Sequence, residues 1–250
     1  MRSFFTLARR ELEGYFLSLS GYIIIAATTF LIGQGFIVLM DRVGNKPMPM
    51  PVTELFYIGQ SFWLILILAT PVITMRLFAL ERAAGTFETL MTAPVHDASV
   101  VLAKFTAALA FYIVMWLPML ACLFVVQQYS RQSGALEPGT LGGLYLGIAL
   151  IGGLFLSLGC FASAITRSQT VAAMITLVLG VSVFALGYLA RDAGAAGTWQ
   201  GQWLARFAFF EQMHDFARGI VDTRSVVLYV SLTFFFLFLT LRAVESRRWR

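Results

Sequence analysis

Charged side chains are scarce in this chain of 250 residues. Only 12% of the residues are Asp, Glu, Lys or Arg, whereas 59% are hydrophobic, and the mean hydropathy is +0.80. Soluble domains carry roughly 25% charged residues, so this chain has too little polar surface to face water on all sides. A soluble globular fold is therefore excluded.

The charges that are present avoid six long stretches. These uncharged stretches are residues 21–40, 57–75, 105–126, 141–165, 169–190 and 225–241. Together they make up half of the chain, and each is close to the roughly 20 residues that an α-helix needs to cross a hydrocarbon core. We predict an all-α integral membrane protein, one domain over residues 1–250, with six transmembrane helices. The predicted spans are about 21–40, 57–80, 100–126, 141–165, 169–190 and 225–243.

A transmembrane β-barrel does not fit this pattern, because barrel strands alternate apolar and polar residues. Residues 63–68, for example, are apolar without a break. The N-terminal segment also differs from a cleavable signal sequence, since Arg9, Arg10, Glu11 and Glu13 precede the first apolar stretch. We expect the first span to remain in the protein.

Histidine, cysteine and intramembrane charge are also scarce. The two histidines, His96 and His214, fall in loops predicted on opposite sides of the membrane, and no H-E-x-x-H motif occurs. Uncharged spans disfavour an ion-coupled carrier and a membrane hydrolase, because both need ionisable groups at membrane depth. Cys122 and Cys160 lie in predicted spans, and we expect free, buried thiols and no metal site.

The distribution of Lys and Arg predicts the orientation. Six spans place both termini on one side, and with that side in the cytoplasm most of the 18 basic residues are cytoplasmic. Arg9 and Arg10 flank the first span, and Arg247 and Arg248 flank the last one. By the positive-inside rule we predict a multi-pass protein of the cell inner membrane with both termini cytoplasmic. The net charge of +5 fits anionic lipid and gives no indication of nucleic acid binding.

Two cytoplasmic segments have the periodicity of amphipathic helices. In residues 2–19, apolar side chains recur every three or four positions opposite basic ones, which predicts a helix in the inner membrane interface. In residues 80–91, the pattern predicts a short helix that stops before Pro94. It could offer Glu81 and Glu88 to a soluble protein, although periodicity alone favours an ordinary solvent-exposed connector.

The residues of the second segment resemble a family signature. Residues 81–95, ERAAGTFETLMTAPV, resemble the E-[RK]-x-x-G-T-x-E-x-L-x-x-x-P-[VI] pattern of ABC-2 permeases of ATP-binding-cassette transporters. Lys104 stands where that pattern usually carries its next lysine. Residues 159–173 are similar to the family's G-x-x-x-S-x-x-T-x-x-Q-x-x-A-A run. Residues 214–249 are similar to the gliding-motility-type permeases and to the nitrous-oxide-reductase maturation permeases.

The resemblance implies a permease subunit that works with a separate ATPase subunit. No G-x-x-x-x-G-K-[ST] loop occurs in the sequence, so we expect no enzyme activity and no cofactor on this chain, with ATP and Mg on the partner. The family's coupling helix would dock in a groove of that ATPase. The implied coupling residues are Glu81, Arg82, Gly85, Thr86, Glu88 and Leu90, with Arg167 in the turn after the fourth span. Arg167 could equally be an inner-leaflet anchor.

The spans contain features that allow close packing and bending. Small residues recur every four positions in the fourth span, which permits close helix approach either within one bundle or at a seam between two copies. These residues are Ala149, Gly153, Ser157, Gly159 and Ser163. Pro71 and Pro118 lie within spans and predict kinks, each of which frees a backbone carbonyl.

The predicted outer connection, residues 191–224, contains a further amphipathic helix. Apolar residues recur at three or four positions between Phe207 and Ala217, which predicts a helix that dips into the outer leaflet. In the family this region caps the exit of the pathway. Glu211, His214 and Arg218 are therefore candidates for an outer gate, although simple anchoring is favoured.

We predict a permease subunit of an ATP-driven exporter. It would contain two copies of this chain, or this chain and a similar one, with two ATPase subunits and possible contact with an accessory surface-machinery protein. A membrane anchor for a cytoplasmic ATPase or a cell-surface machine, without transport, is the alternative. A secondary carrier is the third hypothesis. No residue pattern identifies the transported substrate.

Overall fold

The computed structural model describes residues 2–45, 59–85, 96–129, 138–193 and 206–246. Within these ranges the chain forms ten α-helices and no strand. The helices are α1 (Arg2–Phe16), α2 (Leu19–Asn45), α3 (Gln60–Thr74), α4 (Ala79–Ala83), α5 (Asp97–Met115), α6 (Leu117–Tyr129), α7 (Pro138–Ile165), α8 (Gln169–Ala193), α9 (Phe209–Ala217) and α10 (Thr223–Glu245). The predicted all-α fold is confirmed.

Among the described residues, six segments are long and apolar enough to cross a membrane, as the sequence predicts. They are Leu19–Val38, Ser61–Ala83, Asp97–Val125, Gly139–Ile165, Gln169–Ala190 and Thr223–Glu245. Some helices extend beyond the uncharged stretches: α2 continues through Asp41 to Asn45. A helix satisfies its backbone hydrogen bonds internally on both sides of a membrane boundary, so a charge does not end it. The assignment of residues 1–250 to one domain stays a prediction.

Helix α7 lies at the centre of the bundle. In its apolar window 78% of the residues are buried, against 17% in α10 and 22% in α2 and α8. Glycines bring its neighbours close: a Cβ on Gly159 would lie 2.1 Å from Thr74 Oγ1 of α3, and a Cβ on Gly152 would lie 2.1 Å from the Tyr112 ring of α5. Gly152 and Gly159 therefore allow close packing of helices within this one chain.

The two prolines have different effects. Helix α3 continues through Pro71, whereas the third span is divided at Trp116 into α5 and α6, with Pro118 at the start of α6. The Tyr145 hydroxyl of α7 donates a hydrogen bond to the Trp116 carbonyl at 2.9 Å. This carbonyl also accepts a hydrogen bond from the Met119 backbone N–H at 3.1 Å, so the neighbouring helix adds a second hydrogen bond at the break between α5 and α6.

The two ends of α7 contact different parts of the chain. Ser163 contacts the segment that leads into α4, and Gly143 lies against the Phe216 carbonyl at the end of α9. The 20 residues between these contacts correspond to about 30 Å along a helix. We call the first end the ion-pair end, after Glu11, Glu81 and Lys104 described below, and the second the α9 end.

Candidate functional site

Lys104 forms the centre of a buried ion cluster at the ion-pair end. Its Nζ lies 2.9 Å from Glu11 Oε1 of α1 and 2.8 Å from Glu81 Oε1 of α4. The Lys104 side chain is 3% exposed, and those of Glu11 and Glu81 are 17% and 19% exposed. Its ammonium also lies 5.6 Å from the centroid of the Phe78 ring.

Each charge of this cluster depends on the others, because the three groups are largely removed from water. A charge removed from water costs several kcal/mol unless partners and hydrogen bonds compensate it, and one ammonium can donate to both carboxylates. Arg10 adds a further positive charge at the exposed rim, 3.2 Å from Glu11 and 3.9 Å from Glu81. The cluster therefore links α1, α4 and α5 through charge-assisted contacts.

Helix α4 is held from its other side by the end of α7. Ser163 Oγ accepts hydrogen bonds from the backbone N–H groups of Phe78 and Ala79, both at 3.1 Å. The first N–H groups of any helix have no partner within it, and here a side chain of another helix supplies one. Arg82 also donates to the Ala164 carbonyl of α7.

Helix α1 is attached to the bundle at a second place. The buried Tyr15 hydroxyl donates to the Ile73 carbonyl of α3 at 2.8 Å, and its ring stacks on Phe111 with centroids 4.9 Å apart. Burial raises the pKa of the Tyr15 phenol well above its usual range. The phenol is therefore neutral and acts as a hydrogen-bond donor.

The helix of the predicted coupling segment is shorter than the periodicity indicates. It ends at Ala83, and Gly85 adopts φ 71°, a left-handed conformation that commonly terminates a helix at glycine. The prediction of one unbroken helix from residue 80 towards Pro94 is therefore wrong at Gly85. No described atom lies within 4 Å of the position that a Gly85 Cβ would occupy. Thr86, Glu88 and Leu90 lie outside the described residues.

The predicted coupling residues that the structure describes lie together at the ion-pair end. Glu81 and Arg82 are partly buried and engaged within the chain, whereas Gly85 is exposed. Arg167 is exposed in the short turn between α7 and α8, close in sequence to Ser163 and Ala164. Their roles in coupling stay predictions.

The predicted packing residues lie along α7. Ala149 is partly buried, whereas Gly153, Ser157, Gly159 and Ser163 are buried inside this chain. Ser157 donates to the Leu154 carbonyl of its own helix at 2.7 Å. Gly159 contacts α3, and Ser163 contacts the start of α4 and the residue before it. A seam between two copies stays a prediction.

The predicted outer residues lie at the α9 end. Glu211 and Arg218 are exposed and His214 is partly buried. The opposite face of α9 is not left for lipid, because Phe209, Met213, Phe216 and Ala217 are buried in the protein. Phe216, for example, packs on Gly147 of α7. The apolar face thus fixes α9 to the bundle.

The described residues contain no group of three or more His, Cys, Asp or Glu side chains that could hold a metal ion. Cys122 and Cys160 are free thiols, and Cys160 is buried. His96 lies before α5 and His214 lies in α9, so the two do not share a site.

Sequence reasoning missed the roles of Glu11 and Ser163. The sequence marks Glu11 only as an interruption of the N-terminal segment, although it is an acidic residue among basic ones in a predicted interfacial helix. The spacing of small residues indicates Ser163 for its size, whereas the structure uses its hydroxyl. Only the resemblance indicates Lys104.

Comparison with known proteins identifies one family. The family model described as "ABC-2 family transporter protein" matches residues 56–196, which is more than half of the chain. The matched region includes Glu81, Lys104 and Ser163 but not Glu11. No curated protein matches the chain.

Proposed function

Because the chain belongs to the ABC-2 family of transporter proteins, we propose that it is the membrane-spanning permease subunit of an exporter driven by a separate ATPase subunit. The family and the six apolar helices make the chain a membrane permease. The ATPase binds ATP and Mg²⁺, and this chain performs no catalysis of its own. The direction of transport and the ATPase partner are parts of the proposal.

The observation that supports ATPase coupling is the attachment of α4 on two sides. Lys104 joins Glu81 to α5 and to Glu11 of α1, and Ser163 joins the start of α4 to α7. A force applied to residues 81–85 would therefore act on three helices together. Movement of an ATPase pair on nucleotide binding could then change the bundle between two discrete packings, as alternating access requires.

The proposed orientation places the ion-pair end and both termini in the cytoplasm of a cell with the permease in its inner membrane. The distribution of described Lys and Arg side chains supports this, since cytoplasmic loops carry an excess of basic residues. Arg206, Arg218 and Arg224 lie at the α9 end, whereas the ion-pair end has Arg9, Arg10, Arg76, Arg82, Lys104, Arg167 and Arg242. The coupling surface that we propose consists of Glu81, Arg82, Gly85, Thr86, Glu88, Leu90 and Arg167.

The proposed complex contains two permease chains and two ATPase subunits. The second permease is another copy of this chain or a similar one. Residues 214–249 support placement in the gliding-motility-type or nitrous-oxide-reductase-maturation-type branch, where contact with an accessory surface-machinery protein is a further part of the proposal.

Site-directed crosslinking tests this function. Ala84 is exposed beside Gly85 at the ion-pair end, and an Ala84→Cys variant in native membranes is labelled with a maleimide that carries a benzophenone and is then irradiated. We expect a crosslink to an ATP-binding-cassette ATPase, identified by mass spectrometry, with a yield that changes when ATP and vanadate are added. The parent chain is the baseline for the native Cys122 and Cys160.

A matched variant places the cysteine at the other end. Gly142 is exposed near the start of α7, and Gly142→Cys should give no ATPase crosslink. Capture from Gly142 alone would contradict the orientation, and capture from neither position in a correctly inserted protein would contradict the coupling proposal. A nucleotide-insensitive crosslink would instead support the anchor without transport.

A further inference from the structure

A polar cavity opens at the α9 end, far from the proposed ATPase contact. It lies between α9 and the first two turns of α10, and its volume is about 890 Å³. Both acidic and basic side chains line it, with carboxylates and guanidinium groups around the same space. This combination is not explained by the coupling function, which concerns the ion-pair end.

The carboxylates of the cavity come from α9 and from the residue that precedes α10. Glu211 and Asp215 stand one turn apart on α9, and Asp222 caps α10 by accepting the Arg224 backbone N–H at 2.9 Å. Residues four positions apart lie on one face of a helix. Glu211 and Asp215 can therefore contact one small cationic group together.

The guanidinium groups of the cavity are those of Arg206, before α9, and Arg224, in the first turn of α10. Arginine presents a planar fork of N–H donors that matches the oxygen atoms of a phosphate. Gln212 stands between Glu211 and Asp215 on α9. Its Nε2 donates to the Arg206 carbonyl at 2.9 Å, while its buried Oε1 has no hydrogen-bond partner among the described residues.

The lining of the cavity changes from polar to apolar along α10. Asp222, Thr223 and Arg224 line its polar part, whereas Val227 and Leu228 add apolar surface one turn further along. Ser231 marks the far limit, eight residues from Thr223, which is about 12 Å along the helix. Helix α10 is a candidate membrane span that begins at Thr223, so the cavity extends from the membrane interface towards the apolar region.

We propose that this cavity binds the headgroup of a phospholipid that carries a phosphate and a primary ammonium, with the start of an acyl chain along Val227 and Leu228. The guanidinium groups bind the phosphate, and Glu211, Asp215 and the Gln212 oxygen accept hydrogen bonds from the ammonium. A quaternary ammonium offers no N–H donor and is commonly held by aromatic rings. None of the described residues that line the cavity is aromatic.

Lipid competition on the full-length protein tests the site. The delipidated protein in detergent is titrated with phosphatidylethanolamine, phosphatidylcholine and phosphatidylglycerol of equal chain length, and bound lipid is counted by native mass spectrometry. We expect phosphatidylethanolamine to bind about tenfold more tightly than the other two, the difference expected for one charge-assisted hydrogen bond. Equal binding of the three lipids would overturn the proposal.

Two kinds of variant separate the two halves of the headgroup. Glu211→Gln with Asp215→Asn should abolish the preference for phosphatidylethanolamine and should not weaken phosphatidylglycerol binding, because it removes negative charges beside an anionic lipid. Arg224→Gln should weaken the binding of all three lipids to a similar extent. Arg242→Gln, which changes an exposed arginine at the other end of α10, is the control and should change none of them.

The result that would contradict the assignment is an unchanged lipid preference in the double carboxylate variant, provided that size-exclusion and thermal unfolding profiles match those of the parent. Binding of soluble O-phosphoethanolamine is measured last, because this compound has a phosphate and an ammonium without acyl chains. If it binds as tightly as the lipid, the lipid source is wrong and the ligand is a soluble phospho-ammonium compound.

Discussion

The ammonium of Lys104 and the carboxylate of Glu11 lie 2.9 Å apart although 93 positions separate them in the chain. The same ammonium contacts Glu81, so one side chain joins the N-terminal helix, α4 and α5. The contact makes α1 part of the proposed coupling end. An amphipathic helix that only anchored the chain in lipid would not need this buried charge pair.

Replacing Lys104 by Met should destabilise the protein strongly. It leaves Glu11 and Glu81 facing each other with little exposure, and breaking a buried ion pair by removing one partner costs about 3 kcal/mol or more. Unfolding by SDS titration in mixed micelles measures the change. Arg242→Met removes an arginine from an exposed pair with Glu245 and should change the free energy of unfolding by less than about 1 kcal/mol.

A rescue experiment separates charge from packing in that variant. Adding Glu11→Gln and Glu81→Gln to Lys104→Met removes the unpaired charges, and the triple variant should be more stable than Lys104→Met alone. If the triple variant is as unstable as the single one, the loss arises from the shape of the lysine side chain and the ion cluster is not its cause.

Ser163→Ala should cost about 2 kcal/mol, because two backbone N–H groups before and at the start of α4 lose their acceptor in a buried place. Ser157→Ala on the same helix is the matched control. Ser157 only donates to a carbonyl of α7 itself, so its loss should be much smaller. Equal unfolding free energies for the two variants would show that Ser163 does not hold α4.

Gly85→Ala should destabilise the end of α4 by about 1 kcal/mol, since φ 71° is a left-handed conformation that costs an L-residue this much. Gly14→Ala should have the opposite sign, with a gain of about 0.5 kcal/mol, because Gly14 lies within α1 and alanine is the better helix former. Hydrogen exchange at α4 measures the first change. Slower hydrogen exchange at α4 in Gly85→Ala would show that Gly85 does not require its left-handed conformation.

Gly159→Ala should destabilise the packing of α7 on α3. The new methyl group would lie 2.1 Å from Thr74 Oγ1 and 2.5 Å from its Cβ, and overpacking of this kind costs about 2 kcal/mol. At Gly153 the nearest atoms would be 3.9 Å away, so Gly153→Ala should be tolerated. Thermal unfolding in the same detergent compares the two, and a stable Gly159→Ala protein would argue against the tight contact.

The fold was predictable from the sequence because span length and charge distribution are local properties. Uncharged stretches such as 141–165 are as long as a bilayer requires, and α7 occupies that stretch. The ends of helices were less predictable. Asp41 lies within α2, since the charge affects where the membrane ends and not where the hydrogen-bonded helix ends.

The candidate site was predictable only in part. The resemblance indicated residues 81–95 and Lys104, and the structure places Glu81 and Lys104 in contact. The contribution of Glu11 depends on a contact between distant parts of the chain, which no periodicity encodes. The left-handed Gly85 was also missed, because apolar spacing on both sides of it continues as if the helix did.

The central position of α7 bears on the order in which the protein is assembled. Helix α10 packs along α7, and it is the last of the six spans to leave the ribosome. Until then, lipid or the insertion machinery must cover the face of α7 that α10 later covers. The small side chains of α7 offer little surface for such contacts. Full burial of the fourth span is therefore a late event in biogenesis, because it requires the insertion of α10.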